Sequence, residues 1–267
     1  MRYVFSVLKK VKDIFSSGKL FLFLDCDGTL VPIGDTPVDT VIPVKTKNLL
    51  RRLSGLQGVK IAIVSGRALS DIRKRFGLKG LIYSGNHGFQ VSGPGIKQEF
   101  RLSPGYKALL AGMKRHFKKN LSGIKGIFIE DKGFSLALHF RLVSPGKVPL
   151  VKSVFREGTS AYLAAGRIRT GAGKKVLEVK PPESRDKGRM VLSILKKAGA
   201  SGVLPVYLGD DLTDEDAFKA LKGRGFTVFV GRNRRSSAGY YLKDVKEVHD
   251  FLGLILEMRK GKKTGCC

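Results

Sequence analysis

The stretch LFLFLDCDGTLVPI, residues 20 to 33, sets two acids, Asp25 and Asp27, at the end of an apolar run. A buried strand ends on negative charge only where something positive meets it. Three other apolar runs also end in polar groups: Ser65-Gly66-Arg67, Asn86-His87 and Gly209-Asp210-Asp211. In an open α/β sheet, ligands bind just beyond the carboxyl ends of the strands. Asp25, Asp27 and Asp210 would converge there, and carboxylates that close call for a cation. Hard oxygen ligands favour Mg²⁺, with waters completing an octahedron. No His or Cys set has zinc spacing, and GDDLTDED lacks the glycine and glutamate positions of a calcium loop.

A Mg²⁺ on a few carboxylates beside a basic residue neutralises a phosphoryl group. In such a site Asp25 attacks phosphorus and becomes an aspartyl-phosphate. Asp27, two residues on, protonates the leaving oxygen and later deprotonates the attacking water. Gly28 turns the chain so that both acids face one place. Ser65 and the Gly66 backbone N–H bind phosphate oxygens. Lys187, in SRDKGRMV, balances the charge at a helix start, where the dipole also favours anions. Plainer roles compete: Asp25 and Asp27 could form an Asx turn, and Ser65 could cap the following helix. Lys180, seven residues before Lys187, is expected to be a strand residue, and His87 to pack or position.

The elements that must bring these residues together follow from periodicity. LFLFLD reads as a strand covered on both faces, VKIAIVSG (59 to 66) as a second and GLIYSGNHG as a third. Helices are expected between them, around residues 44–54 and 68–76. This rhythm predicts an α/β fold, a Rossmann-like doubly wound parallel sheet. Near residue 101 the rhythm changes. Helix PGYKALLAGMKRHFKKNL precedes strands GIFIED and FSLALHFRLV, joined at Asp131-Lys132-Gly133. Helix VPLVKSVFREGTSAYLAAG then precedes strands RIRT and KKVLEVKP, joined at Gly171-Ala172-Gly173. Residues 101–182 therefore read as an inserted α+β unit, αββαββ, a lid within a core made of residues 1–100 and 183–267.

With 267 residues, 42% of them hydrophobic, the chain can bury a core of that size. The formal charge of +28 attracts anions, but its Lys and Arg are dispersed and not interleaved with aromatics, so no specific nucleic-acid partner is expected. Three cysteines, Cys26, Cys266 and Cys267, make no disulfide framework and suit a reducing compartment. Cys26 is expected to face the core, and the paired terminal cysteines after a basic run are a minor candidate for lipidation. Near the N-terminus, Val4, Val7, Leu8, Val11, Ile14 and Phe15 share a helical face, expected to pack on the body rather than lie on a membrane. A cytoplasmic monomer is the expectation.

DCDGTL, SGR, DKG and GDDLTDE, in this order, resemble the four motifs of the haloacid dehalogenase-like phosphohydrolases. The resemblance implies Asp25 as nucleophile, Asp27 as general acid/base, and Ser65 and Lys187 as the phosphate-binding pair. It implies Mg²⁺ on Asp25, Asp210 and the Asp27 carbonyl, with Asp211 and Asp214 orienting waters or the Lys187 ammonium. LDCDGTLVPI, GNHG, EDKGFSLALHFR, VLEVKP and GDDLTDEDAF are similar, more narrowly, to the trehalose-6-phosphate phosphatases. That resemblance implies Glu130, Lys132, Arg141 and Glu178 as contacts to sugar hydroxyls, where bare hairpin charges would otherwise be read as solvated. The competing expectations are the same chemistry on sucrose 6-phosphate or mannosyl-3-phosphoglycerate, and a non-catalytic basic module for polyanions or membranes.

Overall fold

A computed structural model describes residues 1–16, 18–34, 40–173, 175–183, 186–199, 202–231 and 235–260. Pro37 and the cysteines at 266 and 267 lie outside these residues. The elements in chain order begin with β1 (Arg2–Tyr3), α1 (Leu8–Phe15), β2 (Lys19–Asp25), α2 (Val44–Ser54), β3 (Val59–Val64), α3 (Leu69–Phe76) and β4 (Ile82–Gly85). Then come β5 (Gln90–Gly93), β6 (Ile96–Glu99), α4 (Pro104–Leu121), β7 (Phe128–Asp131), β8 (Leu136–His139), α5 (Val148–Ala164), β9 (Arg169–Gly173) and β10 (Val176–Lys180). The last are α6 (Lys187–Lys197), β11 (Val203–Gly209), α7 (Glu215–Ala220), β12 (Phe226–Val230), β13 (Tyr240–Leu242) and α8 (Val245–Lys260). They divide into two compact units, one holding Met1–Ile33, Thr40–Gln98 and the chain from Asp186 onward, the other Gly34 and residues 99 to 183.

In the first unit, nine strands among the described residues form one sheet in the order β1-β13-β12-β11-β2-β3-β4-β5-β6. β2 runs parallel to both β3 and β11, and β3 parallel to β4. β2 is the first long strand but stands in the middle: the chain builds outward through β3 and β4, then returns to its other side through β11. That reversal of strand order is the switch point at which open α/β sheets bind ligands.

The sequence KLFLFLD has no polar face because the fold leaves β2 none. Leu20, Leu22 and Leu24 enter a core with Val11 and Phe15 of α1, Leu50 and Leu53 of α2, and Phe251 and Ile255 of α8. Phe21 and Phe23 point the other way, into a core with Met190, Val191 and Ile194 of α6 and Phe218 of α7. Strand alternation thus splits one apolar run between two layers of helices. Cys26 is fully buried on the first side.

The second unit has a four-stranded antiparallel sheet, β7-β8-β10-β9. Leu136 and Leu138 of β8 and Val179 of β10 pack on Leu110, Met113 and Phe117 of α4 and on Val151, Val154 and Phe155 of α5. The intervening residues belong to the opposite face, where Glu130, Ala137, Glu178 and Gly171 lie side by side across the sheet.

Several local expectations differ from the structure. Gly171, Ala172 and Gly173, expected to form a turn, are strand, paired with Glu178, Leu177 and Val176. The third strand stops at Gly85, and Asn86-His87-Gly88 form a 3-10 turn in which Asn86 and His87 both have positive φ. The strands β5 and β6 have no counterpart in the sequence expectation, since each carries a single buried apolar side chain, Val91 and Ile96.

Most of the N-terminal apolar stripe is part of the core: Val4, Val11 and Phe15 are fully buried, Val7 and Ile14 pack against them half-buried, and Leu8, expected on the same face, is exposed. The Phe15 ring meets Phe226 and Phe251 edge-on at 5.0 and 5.6 Å. No helix among the described residues is long and apolar enough to cross a membrane. Phe15→Ala should therefore destabilise the protein by about 3–5 kcal/mol. Urea unfolding would show it as a lower midpoint with an unchanged slope, and an unchanged midpoint would mean the stripe is not core.

Candidate active site

β2 delivers Asp25 at its last position, β11 delivers Asp210 just past its end, and β3 delivers Ser65 just past its own. Because these three strands are parallel neighbours, their carboxyl ends bring residues 25, 65 and 210 to one rim. Gly28 makes the turn after β2 possible: its φ is +91°, and a Cβ there would lie 2.0 Å from Asp210 Oδ2. Thr29 Oγ1 donates to Asp210 Oδ1 at 3.1 Å, tying the two loops together.

Lys187 arrives from the far side. Asp186 caps α6, accepting from Arg189 N at 2.7 Å, so Lys187 occupies the first helical turn. Its Nζ donates to Asp25 Oδ1 at 2.7 Å and to Asp214 Oδ1 at 2.6 Å, with all three side chains buried. Burial works against the ammonium, but Asp214 and Asp25 outweigh it and raise the Lys187 pKa. Asp214 is saturated with donors: Lys187 and the Tyr207 hydroxyl (2.6 Å) on Oδ1, the backbone N–H groups of Asp210 (3.1 Å) and Asp211 (3.0 Å) on Oδ2. It is thus a fixed acceptor for the Lys187 ammonium. Asp211 is exposed and caps the turn that follows by accepting from Leu212 N.

Carboxylate oxygens of Asp25, Asp210 and Asp214 lie within 4.8 Å of one another. Burial pushes Asp25 up; Asp214 and Asp210 add to this, and Lys187 opposes it. Asp210 is raised to about 7, by burial first and then by Asp214. Two acids that resist ionisation beside a saturated third make a socket suited to a divalent cation, which would return both to the charged form. With Asp214 spent on its four donors, Asp25 and Asp210 are the residues that fit as ligands.

Asp27 departs from the expected pattern of counter-charges. It faces neither Lys187 nor Asp210 but is gripped by Arg67, whose Nε and Nη2 donate to Oδ2 and Oδ1 at 2.7 and 2.6 Å. Ser65 is buried and accepts from Arg67 N at 3.1 Å. Gly66 lies under the His87 ring, so closely that a Cβ would come within 2.5 Å of it. Sequence reasoning missed Arg67 and Tyr207 as partners. Arg67 was visible as the third residue of SGR, but nothing in one dimension says which carboxylate it meets.

In the second unit, Glu178 is buried and accepts from Lys132 Nζ at 3.1 Å and Ser135 Oγ at 2.9 Å. Lys180, expected to be a plain strand residue, reaches the other Glu178 oxygen at 3.0 Å. Glu130 pairs with His139 Nε2 at 2.9 Å, a partner the sequence did not suggest, and lies 3.9 Å from Lys132. Arg141 donates to the Gly34 carbonyl at 3.2 Å. Glu130, Glu178 and Lys132 thus form one charged patch on the sheet face away from the helices, and the small residues Ala137 and Gly171 flank Glu178 in register.

The raised Asp210 carboxyl has a consequence for stability. Between pH 3.8 and about 7 the folded protein holds a proton on Asp210 that the unfolded chain has lost, so this contribution falls as pH rises through that window and is lost above it. In the presence of EDTA, Asp210→Asn should therefore melt higher than the unsubstituted protein at pH 8 and level with it near pH 4. Adding a divalent cation at pH 8 should raise the melting temperature of the latter more. Identical pH profiles by circular dichroism would contradict the assignment.

Residues 23–246 match the family model described as trehalose-phosphatase. Trehalose-phosphate phosphatase B of Arabidopsis thaliana is 30% identical over 273 residues, spanning 96% of this chain and 72% of that protein. The solved C-terminal domain of the trehalose-6-phosphate phosphatase of C. albicans superposes with a TM-score of 0.79 at 25% identity, covering 93% of this chain and 96% of that one. A haloacid dehalogenase-like hydrolase from Bacteroides thetaiotaomicron, 16% identical, shares the fold with a TM-score of 0.63 over 89% of this chain and 99% of its own. With its acids, lysine and strand order in place, this chain belongs to the trehalose-phosphatase family of phosphoric monoester hydrolases.

Proposed function

We propose that the protein hydrolyses trehalose 6-phosphate to trehalose and inorganic phosphate, with Mg²⁺ as its metal, as a cytoplasmic monomer. The observation that carries this reading is the buried Asp25–Lys187–Asp214 set beside Asp210. Lys187 holds one Asp25 oxygen; the other attacks phosphorus, and a bond from Asp25 to phosphorus forms as the bond to the sugar 6-oxygen breaks. Asp27 gives that oxygen its proton. A water then attacks the aspartyl-phosphate, Asp27 takes the water's proton, and phosphate leaves as the Asp25 carboxylate is restored. Ser65, the Gly66 N–H and Lys187 bind the phosphate oxygens throughout. Asp25 and Asp210, with the Asp27 carbonyl, would hold the Mg²⁺, which when bound neutralises charge on the phosphoryl group. Asp211 is assigned to orienting water.

The patch of Glu130, Lys132 and Glu178, with Arg141, is assigned to the sugar. A neutral disaccharide offers only hydroxyls, and charged donors and acceptors on one rigid sheet face pair with them best. Support comes from the names of the relatives matched above, which act on trehalose phosphate.

A panel of sugar phosphates assayed for phosphate release with Mg²⁺ tests this. Trehalose 6-phosphate should be strongly preferred over sucrose 6-phosphate, mannosyl-3-phosphoglycerate and glucose 6-phosphate; equal turnover of all four would overturn the substrate assignment. Asp25→Asn should reduce kcat by roughly 10⁵–10⁶-fold, and an active variant would defeat the covalent mechanism. Glu178→Gln should raise KM for trehalose 6-phosphate roughly tenfold, the equivalent of one charged hydrogen bond.

A further inference from the structure

Asp27 is half-exposed, with its side chain 29% accessible, yet it is not left to rotate. Arg67 holds both carboxylate oxygens in a parallel fork. The guanidinium is itself fixed on further sides: Nη2 also donates to Thr40 Oγ1 at 2.8 Å, and Nη1 lies 3.5 Å from Asp71 Oδ2. Arg75 donates to Asp71 at 2.8 Å and to the Thr40 carbonyl. Thr40 and Arg67 are both nearly inaccessible to solvent. The same Arg67 touches the phosphate loop through its backbone, donating to Ser65 Oγ and accepting from Asn86 N.

We infer that Arg67 is the positioning residue of the proton-transfer step, fixing the Asp27 carboxylate relative to the oxygen that leaves and the water that attacks. The inference rests on the role given to Asp27 above. A planar guanidinium specifies the plane of a carboxylate as well as its location, which a lysine point charge cannot do. The nucleophile is held separately, on Lys187. Bond formation at phosphorus and the two proton transfers, to the leaving oxygen and later from the attacking water, are thus organised by two different cations, and loss of Arg67 should damage only the proton transfers.

That separation can be read from the leaving group. A sugar 6-oxygen leaves as a strongly basic alkoxide unless it is protonated, whereas p-nitrophenolate leaves as a stable anion and draws little on the acid. The kcat/KM of Arg67→Ala, which reports only the steps up to departure of the leaving group and not the later hydrolysis common to both esters, should fall about 100-fold on trehalose 6-phosphate, the size of a typical general-acid contribution. The loss should be at least about ten times smaller on p-nitrophenyl phosphate. Arg67→Lys should fall between the unsubstituted protein and Arg67→Ala on the sugar ester. Adding Arg67→Ala to Asp27→Asn should cost no more than about 3-fold further, because the two residues act as one unit.

Equal losses on both esters, or multiplicative losses in the double variant, would overturn the inference and make Arg67 a structural or phosphate-binding residue. Should Arg67→Ala lack a cooperative melt, Arg67→Lys and Arg67→Gln report the same ratio. A parent protein that hydrolyses another alkyl phosphate instead of trehalose 6-phosphate sinks the substrate reading alone, and the ratio is then measured on that ester. One that hydrolyses p-nitrophenyl phosphate but no alkyl ester overturns the positioning role itself.

Discussion

A single ammonium group, that of Lys187, makes the buried acidic rim possible. It lies buried with Asp25 on one side and Asp214 on the other, in a place where neither an isolated cation nor an isolated carboxylate would be tolerated. The geometry around it is over-determined. Asp214 is pinned by Tyr207 from the strand and by two backbone N–H groups from the following turn, so the lysine has a fixed acceptor on the side away from the chemistry. What remains for Asp25 is one held oxygen and a defined direction. The three acids of the rim, Asp25, Asp210 and Asp214, outnumber the single Lys187 ammonium by two, an excess of negative charge that a cation would offset.

The unit that carries this rim depends on β2 having no solvent face. Its leucines and phenylalanines feed separate cores, each closed by its own helices, so the strand cannot slip by one residue without exchanging both sets. Register is therefore strongly specified at the position where register matters most, since Asp25 is the next residue in the same alternation. In the second unit the same period of two does different work. It sends Leu136, Leu138 and Val179 to the helices and gathers the charged residues on the other face.

Much of this could be read before any coordinates, because periodicity and motif spacing are local properties. Strands β2, β3 and β11 announce themselves as apolar runs, and Asp25, Asp27, Ser65, Lys187 and Asp210 sit at their ends or at a helix start. What could not be read is pairing at a distance. Arg67 lies forty residues from Asp27, Tyr207 hides in a strand as one more aromatic, and His139 sits on a pleat whose neighbour across the hairpin is Phe128 while its ring reaches Glu130. The short strands β5 and β6 were missed for another reason: each is four residues long with one buried apolar side chain, too little to make a pattern. The glycine-rich end of β9 misled for a related one, as Gly171 and Gly173 carry strand backbone without strand side chains.

The place of β2 in the sheet also bears on how the chain is made. One of its two neighbours, β3, follows it within about forty residues, but the other, β11, begins 184 residues after β2 does, beyond the whole second unit. At translation rates of roughly 5–20 residues per second, the nascent chain carries a bare, strongly hydrophobic edge at β2 for roughly 10–40 s. During that interval Asp25 has been synthesised without the lysine that will neutralise it. A strand that is the most protected element of the finished molecule is thus its most vulnerable one on the ribosome, open to pairing with another chain until the C-terminal third arrives.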